Sequence, residues 1–399
     1  MNTVAIVIIA YNRPDSLRRL LASLAGANYP EKKSIPLIIS IDQGDNARVI
    51  ETADSFIWEH GEKSVICRKA NLGLKQHVLL CGDYAQSYDG VVMLEDDLYV
   101  SPSFYTYAFA ALEFAEGQDT IGGVSLYNHL LNVHVREPFE AVREDYDNWY
   151  FQFASSWGQA FGRGQWSGFR EWLKDHDGKP LAACDMPENV SSWSDKSWLK
   201  YYIKYLIDTK KYFMYPYLSL TTNFSEEGAH ARETVTDLQV PLAGKTDSSR
   251  EYHFCKLRET RAVYDAFFEN VCLKKYVAEQ LTSILENAGN EYGIEKTDFV
   301  EMDLYGYRPI MPGMRYFLTS RSLPYKLLKS YGRSLRPMDA NIFEEMSGND
   351  FYLYDTGEPG SAPKTEDARK YLYHYKALKM KAIRSVLSYR IRRKLRRLK

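Results

Sequence analysis

Hydrophobic and polar positions alternate in blocks along the first hundred residues. Short apolar runs rich in β-branched residues, which are typical of strands, alternate with segments whose apolar residues recur every three or four positions, which is typical of helices. The predicted elements are strands at Val4–Ala10 and residues 36–42, 64–68 and 91–95, and helices at residues 14–24, 46–59 and 74–87. Repeated strand–helix units predict a mostly parallel sheet with helices on both faces.

After residue 100 the pattern becomes less regular. Helical spacing recurs at Phe104–Ala115, 198–207 and 274–287, and residues 303–335 are rich in Tyr, Arg and Pro. The expected organisation is an α/β domain at 1–240, a mostly helical C-terminal extension at 241–354, a Gly/Pro linker at 355–367 and a final helix at 368–399.

A dense aromatic stretch lies between residues 148 and 172. It contains Trp149, Tyr150, Phe151, Phe153, Trp157, Phe161, Trp166, Phe169 and Trp172. Large aromatic side chains mostly pack in cores, and their flat apolar faces also bind sugars. We expect core packing for all of them except Trp157, for which both interpretations stay open.

A cluster of acids follows the apolar run at residues 91–94. Glu95, Asp96 and Asp97 are adjacent, and the next three residues are apolar again. Ligands of open α/β sheets bind outside the carboxyl ends of parallel strands, and Mg²⁺ and Mn²⁺ take carboxylate oxygens together with substrate phosphates. The cluster therefore predicts a metal–diphosphate site. The alternative is a surface turn with three solvated acids, which the apolar surroundings disfavour because adjacent buried charges must be paired or metal-bound.

Composition indicates a soluble globular protein of about two domains. The chain has 399 residues, of which 45% are hydrophobic and 26% are charged. No apolar stretch reaches the roughly 20 residues that span a bilayer, and Met1 leads directly into the first strand. We therefore expect neither a transmembrane anchor nor a signal peptide. The five cysteines lack CxxC spacing and are expected to be reduced thiols of a cytosolic protein.

Charge is distributed unevenly along the chain. All 52 acidic residues lie before Ala368, whereas 13 of the 51 basic residues follow Asp367. Apolar residues recur at helical spacing from Met380 to Leu398 within this tail. A basic amphipathic helix predicts an anionic membrane surface as partner. Nucleic acid is the rival partner, which the acidity of the preceding chain disfavours, and a solvated helix without a partner is the third possibility.

Four short polar motifs follow the first four predicted strands. They are Ala10-Tyr11-Asn12-Arg13-Pro14, Ser40-Ile41-Asp42-Gln43-Gly44, Asn71-Leu72-Gly73 and Leu94-Glu95-Asp96-Asp97. In this order they resemble the nucleotide-sugar domain of GT-A glycosyltransferases. Residues 1–230 are similar to the N-acetylglucosaminyltransferases that begin complex N-glycans and to bacterial family-2-like enzymes. The resemblance implies a Rossmann-like GT-A fold.

The resemblance also implies a role for each acid. Asp97 would be the direct ligand of Mn²⁺ or Mg²⁺, Asp96 would contact ribose or metal-bound water, and Glu95 would touch the donor sugar. Asp42 would accept a hydrogen bond from the uracil ring, and Arg13 would lie near the nucleotide; the alternative for Asp42 is a turn or helix N-cap residue. Three further residues of the matching motifs are assigned to the donor site, namely Ala10, Tyr11 and Asn71.

An inverting transfer needs a general base that takes the proton of the acceptor hydroxyl. The family places this base in a Trp-flanked acidic segment, which implies Asp195 in the segment at 192–198. Asp185 and Glu188 are the alternatives, and Asp195 as a helix N-cap is the other interpretation.

Two more positions bear on the donor site. His230 lies in a Gly-and-His segment that resembles the loop over the bound donor, and it would bind diphosphate or metal or remain a loop histidine without a ligand. Where animal relatives have a histidine in the helix before the acidic triad, this chain has Cys81, which is a departure from the family pattern.

These expectations combine into one functional hypothesis. The chain is expected to be an inverting, metal-dependent glycosyltransferase that moves a hexose or N-acetylhexosamine from a UDP-sugar to a saccharide or lipid-linked saccharide in bacterial surface polysaccharide or glycan synthesis. It is expected to work in the cytoplasm, peripherally at the inner face of the cell membrane, without nucleic acid. The alternatives are a sugar nucleotidyltransferase, for which no Gly-rich basic loop follows the first strand, and an inactive carbohydrate-binding relative.

Overall fold

The computed structural model describes residues 3–30, 34–181, 185–224, 238–244, 250–287, 300–311, 313–364 and 391. The described helices are α1 (Pro14–Ala25), α2 (Arg48–Ser55), α3 (Leu74–Gly82), α4 (Phe104–Ala115), α5 (Arg163–His176), α6 (Glu188–Ser191), α7 (Trp198–Asp208), α8 (Val271–Asn287) and α9 (Ala340–Phe343). The described strands up to residue 297 are β1 (Val4–Ala10), β2 (Leu37–Ile41), β3 (Lys63–Cys67), β4 (Gly90–Glu95), β5 (Leu98–Val100), β6 (Ile121–Ser125), β7 (Leu131–Asn132), β8 (Glu137–Pro138), β9 (Asn148–Phe151), β10 (Gln159–Gly162), β11 (Tyr212–Pro216), β12 (Thr221–Asn223) and β13 (Val263–Tyr264).

Nine of these strands form one sheet in the order β13-β9-β11-β6-β10-β4-β1-β2-β3. Five of the eight neighbouring pairs are parallel, and the pairs that involve β10, together with β9–β11, are antiparallel. The predicted mostly parallel α/β sheet is therefore confirmed. Strand β1 is buried along its whole length, as expected for a central strand with both faces covered.

Side chains along a strand point alternately to opposite faces of the sheet. Because the residues of β1 are buried on both faces, helices pack against both sides of the sheet. Ile6 and Ile8 belong to a core cluster that also contains the buried leucines of α1 and the aromatic residues at the start of α4. On the other face Phe161 of β10 packs against Trp166 of α5 and Tyr202 of α7, with ring centroids 5.0 and 5.3 Å apart. Packed side chains therefore cover both faces of the sheet.

The aromatic stretch mostly serves the core, as predicted. Trp149, Tyr150, Phe151, Phe153, Phe161, Trp166 and Phe169 are buried. Trp172 and Trp157 are only partly buried, and Trp172 stacks on His176 with ring centroids 3.8 Å apart. The interpretation of Trp157 is taken up with the site.

The C-terminal region differs from its prediction. Its strands form a four-stranded sheet in the order β14-β15-β17-β16, namely β14 (Val300–Asp303), β15 (Tyr316–Thr319), β16 (Tyr325–Tyr331) and β17 (Phe351–Pro359). The expected α-rich extension is therefore wrong for this segment, and β17 continues into the predicted linker. The tyrosine and phenylalanine content explains the difference, because aromatic residues favour pleated, half-buried surfaces.

The described parts of the chain cluster into two compact units. One comprises residues 1–297 with Leu335–Phe343, and the other comprises 298–334 with 344–399. The long helix α8 belongs to the first unit, where Asn270 Oδ1 accepts a hydrogen bond of 2.9 Å from the backbone N–H of Leu273 at its start.

Two sequence-based predictions lie outside the described residues. His230 is one of them, and the basic tail is the other except for Ile391. Among the helices that the structure describes, none has the length and hydropathy needed to cross a bilayer.

Candidate active site

The ends of three neighbouring strands bring the polar motifs together. In the parallel registers Ala10 pairs with Ile41 and Ile9 pairs with Glu95. The residues that directly follow β1, β2 and β4 therefore lie side by side at the carboxyl edge of the sheet. The chain leaves β1 toward β2 on one side and returns to β4 on the other, and ligands of open α/β sheets bind in the crevice at such a switch point.

Arg13 connects the loop after β1 to the acids after β4. Its Nη1 donates to Asp97 Oδ2 at 2.8 Å, and its Nη2 donates to Asp96 Oδ1. The Asp96 and Asp97 side chains are almost fully buried, and the backbone N–H of Tyr11 also donates to Asp96, over 3.3 Å. One guanidinium thus spans two carboxylates that would otherwise repel each other in a buried setting.

Asp97 retains one unused oxygen. Its Oδ1 is buried and has no hydrogen-bond partner among the residues that the structure describes. A buried carboxylate oxygen without a partner is costly, and hard divalent cations bind such oxygens together with water and phosphate. Within the described ranges no group of three or more His, Cys, Asp and Glu side chains forms a metal cage. Asp96 and Asp97 therefore fit Mg²⁺ or Mn²⁺ as partial ligands that a substrate diphosphate would complete.

The carboxyl groups of Glu95 and Asp96 both have raised pKa values. Burial, together with the negative charges of Asp97 and Asp96, raises the pKa of Glu95 to about 8, although Arg13 and a hydrogen bond with Ser156 oppose this shift. Burial also raises the pKa of Asp96 to about 6, although Arg13 opposes this shift. Burial thus favours the neutral form of both carboxyls, and the neighbouring guanidinium favours their charged forms.

Asp42 is held entirely by backbone groups. Its Oδ1 accepts from the N–H of Gln43 at 3.0 Å and of Leu72 at 2.9 Å, and its Oδ2 accepts from the N–H of Gly73 at 3.0 Å. Gly73 has φ of +73°, a left-handed conformation that favours glycine. Asp42 thus ties the end of β2 to the start of α3 without being the N-cap of that helix, which is Gly73. Asn71 supports the same turn by donating to the Gln43 carbonyl at 2.8 Å.

The first turn of α3 contains a histidine, His77, that the sequence did not reveal as a site residue. His77 Nε2 lies 2.7 Å from Ser40 Oγ, and Arg68 donates to the same hydroxyl at 3.0 and 3.2 Å. Burial lowers the pKa of His77 to about 4. Cys81 is buried one turn later in α3, where burial raises the pKa of its thiol to about 11. A histidine is thus present in this helix, four residues before Cys81.

The other donor-site residues differ in what they can offer. Ala10 is buried in the core, and its carbonyl accepts from the N–H of Asp42 at 2.9 Å. The Tyr11 side chain is 41% exposed. Trp157 packs edge-to-face on Tyr127 with ring centroids 4.8 Å apart, and it is next to Ser156, which contacts Glu95. Trp157 is thus partly core and partly accessible, so both interpretations of this residue stand.

The three base candidates carry different partners. Asp195 has a side chain 67% exposed and pairs with Lys200 at 3.1 Å. Its backbone carbonyl accepts from Lys75 at 3.1 Å. Asp185 binds Lys204 at 2.8 and 3.0 Å, and Glu188 is exposed at the start of α6. Asp195 therefore lies beside the beginning of α3, and its assignment as the base stays a prediction.

Part of the chain matches a known protein family. Residues 5–155 match the model of the family described as Glycosyl transferase family 2. Over 159 residues the chain is 25% identical to the alpha-1,3-mannosyl-glycoprotein 2-beta-N-acetylglucosaminyltransferase of Arabidopsis thaliana. The matched region covers 37% of this chain and 36% of that protein. The chain thus spans little more than a third of the length of this curated relative.

Two solved structures are similar at low identity. One is S. aureus TarS 1-349 in complex with UDP-GlcNAc, at 13% identity over 58% of this chain and 61% of that chain, with a TM-score of 0.36. The other is the mannosyltransferase PcManGT from Pyrobaculum calidifontis in complex with GDP-Man and Mn²⁺, at 15% identity over 47% of this chain and 50% of that chain, with a TM-score of 0.30.

Proposed function

We propose that this chain, whose residues 5–155 match the model of the family described as Glycosyl transferase family 2, is an inverting, metal-dependent glycosyltransferase. It moves a hexose or N-acetylhexosamine from a UDP-sugar to a saccharide acceptor. The observation that carries this proposal is the position of Arg13, Asp96 and Asp97 at the carboxyl ends of β1 and β4. These two carboxylates are buried beside the Arg13 guanidinium, and Asp97 has an oxygen without a hydrogen-bond partner among the described residues. Such a group of charges is suited to binding a diphosphate together with a metal ion.

The donor would lie across the strand ends. Asp97 would hold Mn²⁺ or Mg²⁺ directly, and Asp96 would contact ribose or metal-bound water. Such an ion stabilises the negative charge of the departing diphosphate. Arg13 supplies a second positive charge that can contact phosphate oxygens in a bidentate manner. Asp42 borders the uracil end of the site, and Glu95 and Trp157 border the sugar.

The acceptor requires a separate group. In our proposal Asp195 takes the proton from the attacking hydroxyl as the new glycosidic bond forms, while the UDP leaves from the opposite face of the anomeric carbon. General-base catalysis of this kind contributes about 10²–10⁴-fold. The exposed position of Asp195 suits a group that meets an acceptor arriving from solvent.

The pathway and location rest on the sequence. The basic amphipathic pattern after Ala368 supports peripheral attachment at the cytoplasmic face of a bacterial membrane. That position suits a growing saccharide on a lipid carrier, as in surface polysaccharide or glycan synthesis.

A panel of nucleotide sugars tests the proposal. Purified protein is incubated with Mn²⁺ and each donor in the presence of short saccharide acceptors, and released nucleoside diphosphate is measured. Release of UDP from one donor is the expected result. Pyrophosphate formed from a nucleoside triphosphate and a sugar phosphate would instead support a nucleotidyltransferase, and binding of saccharide without any turnover would support an inactive relative.

A further inference from the structure

The guanidinium of Arg13 lies on the solvent side of the two carboxylates that it binds. Its side chain is 27% exposed, whereas the side chains of Asp96 and Asp97 are 3% and 11% exposed. Arg13 therefore occupies Asp97 Oδ2 and Asp96 Oδ1, two oxygens that could bind a divalent cation. Of the carboxylate oxygens of these two acids, Asp97 Oδ1 alone has no hydrogen-bond partner among the described residues, and it is buried. A cation that binds Asp97, with Asp96 beside it or at a metal-bound water, therefore competes with Arg13 for these oxygens.

The two acids are held in place by contacts that do not involve Arg13. The backbone N–H of Asp96 donates to the Ile9 carbonyl at 3.1 Å, and the Asp97 carbonyl accepts from the N–H of Phe224 at 3.1 Å. The Asp96 carboxylate also accepts from the N–H of Tyr11. Arg13 has a long, rotatable side chain, so it can leave while the carboxylates keep their positions.

We propose that Arg13 is a displaceable cation that occupies the carboxylate pair in the free protein and moves to the donor diphosphate when donor and divalent cation bind. This inference rests on the proposed function. It follows that the free protein binds divalent cations weakly, because the guanidinium already neutralises part of the negative charge. The diphosphate gives Arg13 an alternative bidentate partner, so nucleotide and cation strengthen each other's binding, and this coupling is reciprocal.

Direct measurement of Mn²⁺ binding tests this inference without relying on turnover. Free Mn²⁺ is followed by electron paramagnetic resonance during titration of the full-length wild type and of Arg13→Met, each with and without UDP, after correction for Mn²⁺ bound to UDP in solution. Without UDP, Arg13→Met should bind Mn²⁺ several-fold more tightly than the wild type. In the wild type UDP should strengthen Mn²⁺ binding by about 5–150-fold, the usual range of coupling between sites, and this factor should be smaller in Arg13→Met.

Two further variants complete the design. Arg18→Met removes an exposed arginine of α1 that pairs with Asp15 at 2.6 Å, and it should behave like the wild type. Arg13→Lys keeps a positive charge beside the buried acids but cannot bridge both as a planar fork. Arg13→Lys should bind Mn²⁺ with an affinity between those of the wild type and Arg13→Met. If Arg13→Met fails to fold, the comparison of Arg13→Lys with the wild type tests the inference.

The possible results separate the two proposals. Folded Arg13 variants whose UDP-free Mn²⁺ affinity equals or falls below that of the wild type would overturn the role of Arg13. If such variants retain UDP-dependent Mn²⁺ binding, the donor site stands and only the displacement is wrong. Absence of Mn²⁺ binding in every protein, even with UDP, would overturn both the displacement and the metal dependence of the proposed function.

Discussion

Arg13 Nη1 donates to Asp97 Oδ2 over 2.8 Å, which joins the loop after the first strand to the acid after the fourth. These residues are far apart in sequence, and the parallel pairing of β1 with β4 brings them together. The candidate donor site is therefore a product of the sheet topology.

The base assignment predicts a separation of binding from transfer. Asp195→Asn should bind UDP like the wild type, because a base acts on the acceptor, and it should transfer sugar at least about a hundredfold more slowly. Only the Asp195 end of its contact with Lys200 is exposed, since the Lys200 side chain is 9% exposed. The amide oxygen of Asp195→Asn can still accept a hydrogen bond from Lys200, so the variant should unfold close to the wild-type urea concentration. Calorimetric UDP binding and initial transfer rates test this, with Asp185→Asn and Glu188→Gln alongside. Wild-type transfer by Asp195→Asn would redirect attention to those two residues.

Asp42 predicts a combined loss of stability and donor binding. Asp42→Asn places an amide donor against one of the backbone N–H groups of Gln43, Leu72 or Gly73. A buried donor without an acceptor costs about 1–3 kcal/mol, so the urea midpoint should fall and UDP affinity should weaken. Asp45→Asn, at an exposed position of the same loop, is the matched control. Unchanged UDP affinity in Asp42→Asn would leave Asp42 a purely structural residue.

The sequence predicted the order of strands and helices from β1 to β4, because these elements have clear patterns of apolar residues. It also located the acidic cluster, since adjacent carboxylates that directly follow a buried strand must be paired or metal-bound. It did not reveal that Arg13 binds two of these acids, because that contact depends on register between strands distant in sequence. His77 was missed for the same reason, since its partner Ser40 lies on β2. The C-terminal sheet was missed because aromatic-rich strands lack clear alternation.

His129 predicts a specific acid sensitivity. Its ring is buried, and neither ring nitrogen has a hydrogen-bond partner among the residues described. The surrounding rings, at centroid distances of 5.1–5.9 Å, are Tyr127, Phe151, Phe153, Trp157, Tyr215 and Phe268. Burial, together with the nearby His134, lowers the pKa of His129 to about 3.

The sign of this effect follows from proton binding. Below the ordinary histidine pKa of about 6.5 the unfolded chain binds a proton that the native state excludes, so stability falls as pH decreases toward 3. Between pH 7 and pH 5 the wild type should lose ~2 kcal/mol more than His129→Phe. Urea denaturation at both pH values measures the difference, with His253→Gln as the exposed control. Equal pH dependence of the wild type and His129→Phe would contradict this prediction.

The basic tail predicts salt-sensitive attachment to membranes. Truncation after Lys364 should give a protein that keeps activity on a small soluble acceptor but no longer sediments with anionic vesicles. Binding of the full chain should weaken with salt, because the Debye length shrinks from about 10 Å at 0.1 M to about 3 Å at 1 M. Equal sedimentation of both proteins, or tighter binding to RNA than to vesicles at matched salt, would refute this prediction.

The central claim is that Asp97 binds the cation that stabilises the leaving diphosphate. Its most direct test is metal-dependent release of UDP from the donor identified in the panel, measured for the wild type, Asp97→Asn and Asp15→Asn, with Mn²⁺ and with EDTA. Metal stabilisation of such a leaving group is worth several kcal/mol. The wild type and Asp15→Asn, a variant on the exposed surface of α1, should release UDP with Mn²⁺ and stop with EDTA, whereas Asp97→Asn should lose Mn²⁺-dependent release. Wild-type release by Asp97→Asn, together with a wild type that is insensitive to EDTA, would contradict the account.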